Sequence, residues 1–252
     1  MQSVSFAERL EALMHGVSYF PVRTEQDREL IYRLRYDCYL NEKAITENPL
    51  RRYFDRHDED ENVFIFGICY DGQLAGSIRM HICSPYWPTG PGMDVFPEIL
   101  GPMIERGESF VDPTRFVVDE RVRRATSLMP FATLRLAAMA ADHFDTEQIL
   151  ATVRIEHTPF YRRIFQLEPL SEPRHYPSLT KPIVMMSNYT DIIRDAVYTR
   201  YPVFSSDPEE RFELFGPSRS QDFGVSRRAS VNDNEGRIFR KYERNTTSLV
   251  GS

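Results

Sequence analysis

Residues 62–84, NVFIFGICYDGQLAGSIRMHICS, contain two apolar runs that are separated by Asp71 and Gly72. An Asp-Gly pair accepts the positive φ angles of a tight chain reversal, so this stretch predicts a β-hairpin. The elements on either side are assigned outward from this hairpin.

The chain before the hairpin predicts one strand and one helix. YFPVR (19–23) is typical of a short strand. TEQDRELIYRLRYDCYL (24–40) has apolar residues near helical spacing, with Thr24 as the N-cap and acidic residues in the first turn. A polar stretch interrupted by proline, residues 41–61, connects this amphipathic helix to the hairpin.

The chain after the hairpin alternates strands with helices. Five prolines between residues 84 and 108 predict an irregular excursion with one short helix near 96–104. The following patterns predict strands at 109–119, 148–155 and 181–187, and helices at 126–144, 158–167, 190–201 and 209–215. Pro113 cannot donate to a sheet ladder, so it implies a bulge or a sheet edge. The order predicts an α/β (α+β) fold in which helices flank a central mixed sheet.

Composition limits the class of protein. The 252 residues are 41% hydrophobic and 27% charged, enough for one sizeable core with an appendage. No apolar run approaches the ~18 residues of a spanning helix, and charged residues near the N-terminus argue against a signal peptide, so we expect a cytoplasmic, soluble protein without a membrane span. The three cysteines, Cys38, Cys69 and Cys83, suggest neither a disulfide framework nor a zinc knuckle.

Charge is unevenly distributed along the chain. Residues 216–252 hold seven basic and four acidic side chains, a net charge of +3. The body before them carries −9, which gives the total of −6. An acidic body argues against nucleic-acid binding. The tail has few large apolar residues, so we expect a disordered segment at 216–252 after a helical extension at 191–215 and a main domain at 1–190.

Four short motifs, taken in order and spacing, resemble the autoinducer synthase superfamily, which includes the acyl-homoserine lactone synthases and the long-chain N-acyl amino acid synthases. They are RYDCY (35–39), DRHD (55–58), GSIR (76–79) and DPTRF (112–116). The resemblance covers about residues 20–187 and implies a GNAT-type acyltransferase fold. It also implies an acyl carrier protein or coenzyme A thioester as donor and a small amino compound as acceptor.

The chain departs from the pattern at two positions, and the first departure favours one branch of that superfamily. Homoserine lactone enzymes usually carry a Trp where this chain has Ile45, and a Glu where it has Asp112. The first departure weakens the case for S-adenosylmethionine as acceptor. The sequence therefore favours transfer from acyl carrier protein to the amine of an amino acid, with a homoserine lactone synthase or a non-catalytic acyl-carrier-binding module as alternatives.

The resemblance also implies an acceptor site. Polar residues of alternating sign and one aromatic residue are expected to surround the acceptor: Arg35, Asp55, Asp58, Arg79, Asp112, Arg115 and Phe116. Some of these charges are equally consistent with structural ion pairs. Asp112 is the first candidate for the general base and Glu156 the second, and Arg115 completes the predicted catalytic set. Tyr161 is placed to protonate the leaving thiolate, although packing on the sheet is the alternative.

The donor site is predicted from the loop 119–126, DERVRRAT, which precedes a helix. Backbone amides there, with Arg121, Arg123 and Arg124, are suited to a pantetheine phosphate. The loop lacks the glycine pair of the GNAT consensus, which suits a carrier protein better than coenzyme A. No histidine pair has metal-ligand spacing such as HxxxH, so neither a metal nor a cofactor other than the acyl donor is expected.

Overall fold

A computed structural model of the chain describes residues 4–175 and 181–216. Nine helices and seven strands lie in these ranges. The helices are α1 (Phe6–Met14), α2 (Glu25–Asn41), α3 (Pro91–Val95), α4 (Pro97–Glu105), α5 (Glu120–Ala125), α6 (Met129–Phe144), α7 (Thr158–Phe165), α8 (Thr190–Arg200) and α9 (Pro208–Phe215). The strands are β1 (Val17–Pro21), β2 (Val63–Tyr70), β3 (Gln73–Cys83), β4 (Phe110–Val118), β5 (Gln148–Arg154), β6 (Glu168–Pro169) and β7 (Ile183–Tyr189). Single 3₁₀ turns occupy Arg56–Glu59, Ile155–His157 and Pro202–Phe204.

The strands form one mixed sheet in the order β1-β2-β3-β4-β5-β7-β6. All neighbours are antiparallel except β4 and β5, which are parallel. The predicted hairpin is confirmed: Asp71 (φ 49°) and Gly72 (φ 75°) make the reversal between β2 and β3. The predicted α/β fold with a central mixed sheet and flanking helices is confirmed as well.

Helix α6 lies at the centre of the main apolar core. Nearly all of its residues are buried, and they pack with β2, β3 and the C-terminal helices. A smaller apolar cluster joins α4 to the sheet through Phe96, Leu100 and Met185. The two clusters fix the sheet between helical layers, which sets the positions of the strand ends.

Helices α8 and α9 appear where the sequence predicts them, and both pack on the body. Arg135 of α6 donates two hydrogen bonds to the carboxylate of Glu210 on α9, at 2.5 and 2.8 Å. Phe215, the last residue of α9, is buried against Phe66 and Phe144. The segment expected to be disordered is 216–252, and all of it beyond Gly216 lies outside the described residues.

Three local expectations are corrected by the structure. The excursion at 84–108 holds two helices, α3 and α4, because Pro91 and Pro97 each stand at the start of a helix, where a missing N–H costs nothing. Residues 120–125 of the predicted donor loop form α5, capped by the Asp119 side chain, which accepts the Arg121 N–H. Of the two alternatives expected at Pro113, a bulge or a sheet edge, the bulge lies instead at Arg115.

Among the described residues, no helix combines the length and the apolar character needed to cross a bilayer.

Candidate active site

Strands β4 and β5 pair only at their first residues. Phe110 is opposite Gln148 and Val111 is opposite Ile149, and no later pair follows in the described ladder. Pro113 therefore stands where β4 has no β5 partner, which agrees with the edge that its sequence position predicts. The two strands separate beyond this point and leave an opening in the sheet.

A cavity of about 700 Å³ occupies this opening. Its apolar lining comes from β4, α6, β5, α7 and the C-terminal segment, and includes Phe116, Leu134, Ala137, Ala138, Ile149, Ala151, Phe160, Phe165, Ile193 and Phe204. Its charged lining comprises Glu42, Arg115, Arg123, Arg154, Glu156 and Lys181. A cavity of this size with apolar walls and a few charged groups suits a ligand that carries a long apolar chain and one polar reacting end.

Strand β4 bulges beside the cavity. Ser77 is opposite Val117 and Arg79 is opposite Thr114, so two residues of β4, Arg115 and Phe116, face one residue of β3. Arg115 has φ 51°, a left-handed conformation that is uncommon outside glycine. A bulge leaves ladder groups of its strand without their regular partners, and here it does so at the wall of the cavity.

Five of the predicted acceptor-site residues form one buried chain of charges. Arg35 donates to Asp58 at 2.7 Å, and Arg79 lies 3.2 Å from the same carboxylate. Arg79 also donates to Asp55 at 2.6 Å, and Arg115 donates to the second oxygen of Asp55. The signs alternate along the chain, so each carboxylate is shared between two guanidinium groups. Arg115 is the one member that also lines the cavity.

The D-x-x-D spacing has a local structural cause. Asp55 caps the 3₁₀ turn by accepting the His57 N–H at 3.0 Å, and the Asp58 carboxylate accepts the Asp55 N–H at 3.0 Å. This reciprocal cap fixes both carboxylates toward the arginines. Burial acts to raise the pKa of Asp55, but the hydrogen bond from Arg79 and the charges of Arg115 and Arg79 outweigh it and hold that pKa below its ordinary value. The pKa of Asp58 is lowered in the same way, against burial, by Arg35 and Arg79.

The structure does not bring Asp112 to the cavity. Its side chain is buried opposite His81, and one carboxylate oxygen accepts the Gly92 N–H at 2.8 Å. The other oxygen has no hydrogen-bond partner among the described residues. Burial raises the pKa of Asp112.

Glu156, the second candidate base, does line the cavity, but it is engaged in ion pairs. Its carboxylate lies 2.9 Å from Lys181 and 3.7 Å from Arg154. The hydrogen bond from Lys181 is the main cause that lowers the pKa of Glu156 to about 2. A carboxylate with so low a pKa is a weak proton acceptor at neutral pH.

Tyr161 and Phe116 both line the cavity. Tyr161 is buried on α7, and this burial raises the pKa of its hydroxyl well above the ordinary value. The phenol therefore holds its proton at neutral pH and is able to donate it.

The three donor-site arginines lie on α5 and are exposed. Arg121 pairs with Asp119 and Arg124 with Glu120, while only Arg123 lines the cavity. Because residues 120–125 are helical, these arginines do not lie on an extended loop ahead of α6, as the sequence suggested. They form instead a basic ridge, Arg121, Arg123 and Arg124, beside the opening.

Two groups of residues at the site were given no role by the sequence prediction, although Tyr39 is the aromatic residue that ends the RYDCY motif. Tyr53 accepts a hydrogen bond from Arg115 at 3.0 Å, and its ring lies 4.6 Å from that guanidinium. Tyr39 packs on Tyr53 with ring centres 4.8 Å apart, so two aromatic rings enclose Arg115. The alanines of α6 that line the cavity are the second group; the AAMAA run at 137–141 was a signal that this helix leaves open volume on one side.

The expectation of no metal site rested on spacing along the chain. Folding brings His57, Asp60 and His81 together, with one potential ligand atom of each within 4.8 Å of the others. His57 lies in the 3₁₀ turn, Asp60 directly after it and His81 on β3, next to the buried chain of charges.

A mixed sheet that opens between β4 and β5, with a bulged β4 at the wall of the cavity, defines a GNAT-type acyltransferase fold. Residues 30–188, more than half of the chain, match the family model described as N-acyl amino acid synthase FeeM. The chain belongs to this N-acyl amino acid synthase family, as the resemblance of its four motifs implied.

Solved structures share the fold at low sequence identity. FeeM, an N-acyl amino acid synthase from uncultured soil microbes, superposes with a TM-score of 0.59 at 14% identity, covering 73% of this chain and 96% of its own. The acyl-homoserine lactone (AHL) synthase LasI gives 0.57 at 14% identity, covering 73% and 94%. TofI, solved in a ternary complex with an inhibitor and MTA, gives 0.55 at 14% identity, covering 77% and 98%. No curated protein matches the sequence.

Proposed function

We propose that the protein transfers a fatty acyl chain from an acyl carrier protein to the amine of an amino acid. The observation that carries this proposal is the position of Arg115. It stands on the bulge of β4, lines the apolar cavity, and is tied to Asp55 of the buried charge chain. The acyl chain would lie in the cavity, with its thioester carbonyl at the bulge.

The reaction needs positioning more than covalent participation. The neutral amine nitrogen attacks the thioester carbon, the oxygen becomes an oxyanion, and the carbon–sulfur bond then breaks. Backbone N–H donors freed by the bulge stabilise the oxyanion. Such electrostatic stabilisation of the transition state usually contributes most to the rate of these reactions. Tyr161 lies in the same cavity with its proton retained, so it is suited to protonate the departing thiolate.

Neither candidate residue combines the position and the pKa that a general base needs. Asp112 has a raised pKa but lies off the cavity, and Glu156 lines the cavity but is ionised and paired with Lys181. We therefore assign the loss of the amine proton to solvent or to a water held at Glu156. On this assignment the rate increases with pH as more of the acceptor amine becomes neutral.

The acceptor site is proposed around the charged lining. Arg115, Arg154 and Lys181 present positive groups to the cavity, and the carboxylate of an amino acid is the anion that they would orient. Glu42 and Glu156 pair with Arg154 and Lys181 and would attract an ammonium group. An acceptor that carries both an amine and a carboxylate matches this lining.

The donor is proposed to be a carrier protein because the basic ridge on α5 is exposed beside the cavity. Acyl carrier protein would present an acidic helix to this ridge, and exposed charge pairs mainly accelerate encounter. Such attraction is screened over a Debye length of ~8 Å at physiological ionic strength. Turnover with the carrier protein should therefore decrease as salt increases.

The test is to incubate the purified protein with palmitoyl carrier protein or palmitoyl-coenzyme A and a mixture of amino acids. N-acyl amino acid is the product expected by mass spectrometry, with the carrier protein as the better donor. Replacing the mixture with S-adenosylmethionine tests the alternative, because acyl-homoserine lactone with methylthioadenosine would identify a lactone synthase. Acyl carrier protein that binds without any product would identify a non-catalytic module.

One pair of variants tests the donor surface. Arg123→Glu with Arg124→Glu should slow carrier-protein turnover at least several-fold at low salt, while turnover of a small acyl thioester that lacks both the carrier protein and the phosphate changes much less. Arg162→Glu with Arg163→Glu on α7 is the matched control, since it reverses two adjacent arginines near another side of the cavity. Equal effects of the two pairs would contradict docking at α5.

A further inference from the structure

A second polar cluster lies beside the charge chain and has no part in the proposed reaction. His57 is in the 3₁₀ turn, Asp60 follows directly after it, and His81 is on β3. One oxygen of Asp60 lies 2.7 Å from His57 Nδ1 and 3.1 Å from His81 Nε2. The three side chains thus converge on a single point from two elements.

The other nitrogen of His57 is already held by a carboxylate. His57 Nε2 lies 2.9 Å from Asp94 of α3, while Nδ1 faces Asp60 and His81. Histidines that bind metals almost always donate their second N–H to a carboxylate or a carbonyl, which fixes the ring and its tautomer. The Asp94–His57 pair is this arrangement, with Nδ1 left to face the point of convergence.

The charges around the cluster favour a cation. Asp60 and Asp94 are in contact with the imidazoles, and Asp112 faces His81 across the strands. The guanidinium of Arg56 beside the cluster is paired with Asp94. With neutral imidazoles the cluster carries an excess of negative charge that a divalent ion would balance.

We propose that His57, Asp60 and His81 bind a divalent transition metal of the zinc class. Two imidazole nitrogens and one carboxylate oxygen are the donors that zinc accepts, whereas magnesium and calcium prefer oxygen alone. The side chain of Asp60 is 24% exposed, so an ion can enter from solvent and keep a water as its fourth ligand. The Asp60 oxygen now lies at hydrogen-bond distance from both nitrogens, and His81 Nε2 is also 3.1 Å from the His57 carbonyl oxygen, so an ion would replace these hydrogen bonds.

The metal would hold the buried chain of charges in place without taking part in the chemistry. His57 lies between Asp55 and Asp58 in sequence, and His81 is two residues beyond Arg79 on β3. An ion that joins the turn to the strand therefore fixes the carboxylates relative to the arginines they hold. This inference rests on the cluster alone and is independent of the acyl donor or acceptor.

The test uses the untagged full chain, stripped with a chelator and dialysed against zinc chloride. Elemental analysis should find one zinc per chain, and competition with a chromophoric chelator should place the affinity in the micromolar range or tighter. Cobalt substitution should give the intense visible bands of a low-coordinate site. Zinc should raise the thermal midpoint of the stripped protein.

Variants assign the ligands. His81→Gln and Asp60→Asn should weaken zinc binding more than about 100-fold, and Asp94→Asn about 10-fold, as expected for a residue that orients a ligand. His15→Gln is the control, because it removes an exposed imidazole at the end of α1 and should change nothing.

Stripped wild-type protein that takes up no stoichiometric zinc would overturn the proposal, and Asp60 would then be a hydrogen-bonded bridge between two histidines. Equal loss of zinc in His15→Gln would overturn it as well. If His81→Gln fails to fold, the wild-type stoichiometry, the cobalt spectrum and the exposed Asp94→Asn variant still decide the outcome.

Discussion

Asp58 and Arg35 depend on each other unequally. Both side chains are fully buried, but Asp58 is shared by Arg35 and Arg79, whereas Asp58 is the only carboxylate within 4 Å of Arg35 among the described residues. Asp58→Asn should therefore cost about 3–5 kcal/mol of unfolding free energy, since it leaves a buried arginine without a counter-ion. Arg35→Met should cost clearly less, because Asp58 keeps Arg79.

Urea unfolding of the two variants measures this difference. Equal losses would show that Arg35 has another partner of comparable strength. Stability alone does not report catalysis, so a loss of activity in either variant has to be compared with its folded fraction.

Tyr161 provides the matching test of chemistry at a single residue. Tyr161→Phe keeps the buried ring on α7 and removes the proton donor, so kcat should decrease by about 10²-fold while KM changes little. Tyr198→Phe is the control, because its hydroxyl donates to Asp142 and lies outside the cavity lining. An unchanged kcat in folded Tyr161→Phe would assign the residue to packing, which is the alternative that its sequence position allows.

The residue scale also separates what the sequence predicts from what it does not. Alternating charges on four motifs predicted a polar cluster, and Arg35, Asp55, Asp58, Arg79 and Arg115 do form one, because buried charges persist only in mutually satisfied sets. The aromatic enclosure of Arg115 by Tyr53 was not predictable. Tyr53 lies in an irregular polar stretch, where no periodicity indicates which way a side chain points.

Helix α9 closes the core at the element scale. The ring of Phe215 lies 5.1 Å from that of Phe66 and 5.8 Å from that of Phe144. Phe215→Ala should cost about 3–5 kcal/mol through the cavity it creates, whereas Phe212→Ala, on the exposed side of the same helix, should cost about 1 kcal/mol or less. Thermal or urea unfolding compares the two; similar small losses would mean that α9 does not dock as described.

The packing of α9 on the core depends on pH through His143. It is buried against Phe144 and Phe215, and this burial, with a smaller effect of the Arg211 charge, lowers its pKa to about 4. The unfolded chain binds a proton there below about pH 6.5 and the folded chain does not, so stability decreases as the pH falls from about 6.5 to about 4. Relative to His143→Leu, wild-type protein should lose roughly 3 kcal/mol over this window. A constant difference between pH 7 and pH 4 would contradict a buried neutral His143.

Two features that the sequence placed by its prolines differ in the structure, for two physical reasons. Prolines at 85–102 indicated irregular backbone, but a proline in the first turn of a helix is compatible with helix formation, and α3 and α4 begin at such prolines. A bulge or a sheet edge was expected at Pro113, because a missing donor is visible in sequence, and Pro113 does lie where β4 has no β5 partner. The bulge itself is two residues further on. It lies at Arg115 instead, since there the register with β3 slips, and register depends on the partner strand.

At the scale of the whole molecule, the opening between β4 and β5 joins the separate observations. The sequence predicted the order of strands and helices and so the fold. The walls of the cavity come from elements far apart in the chain, including β4, α6, β5 and α8, so no local pattern reveals its volume. The small side chains of α6 set part of that volume, so enlarging one of them tests whether the acyl chain lies in the cavity.

The central claim, that the acyl chain occupies this cavity, is tested most directly by the chain lengths of the products that wild-type protein and Ala138→Leu form from a mixture of acyl donors. Ala138 lines the cavity, whereas Ala140 on the same helix is buried outside the lining, so Ala140→Leu is the control for overpacking. The account predicts that Ala138→Leu shifts the products toward shorter chains at comparable total turnover, and that Ala140→Leu leaves the distribution unchanged. An active Ala138→Leu protein with the wild-type distribution of chain lengths would contradict it.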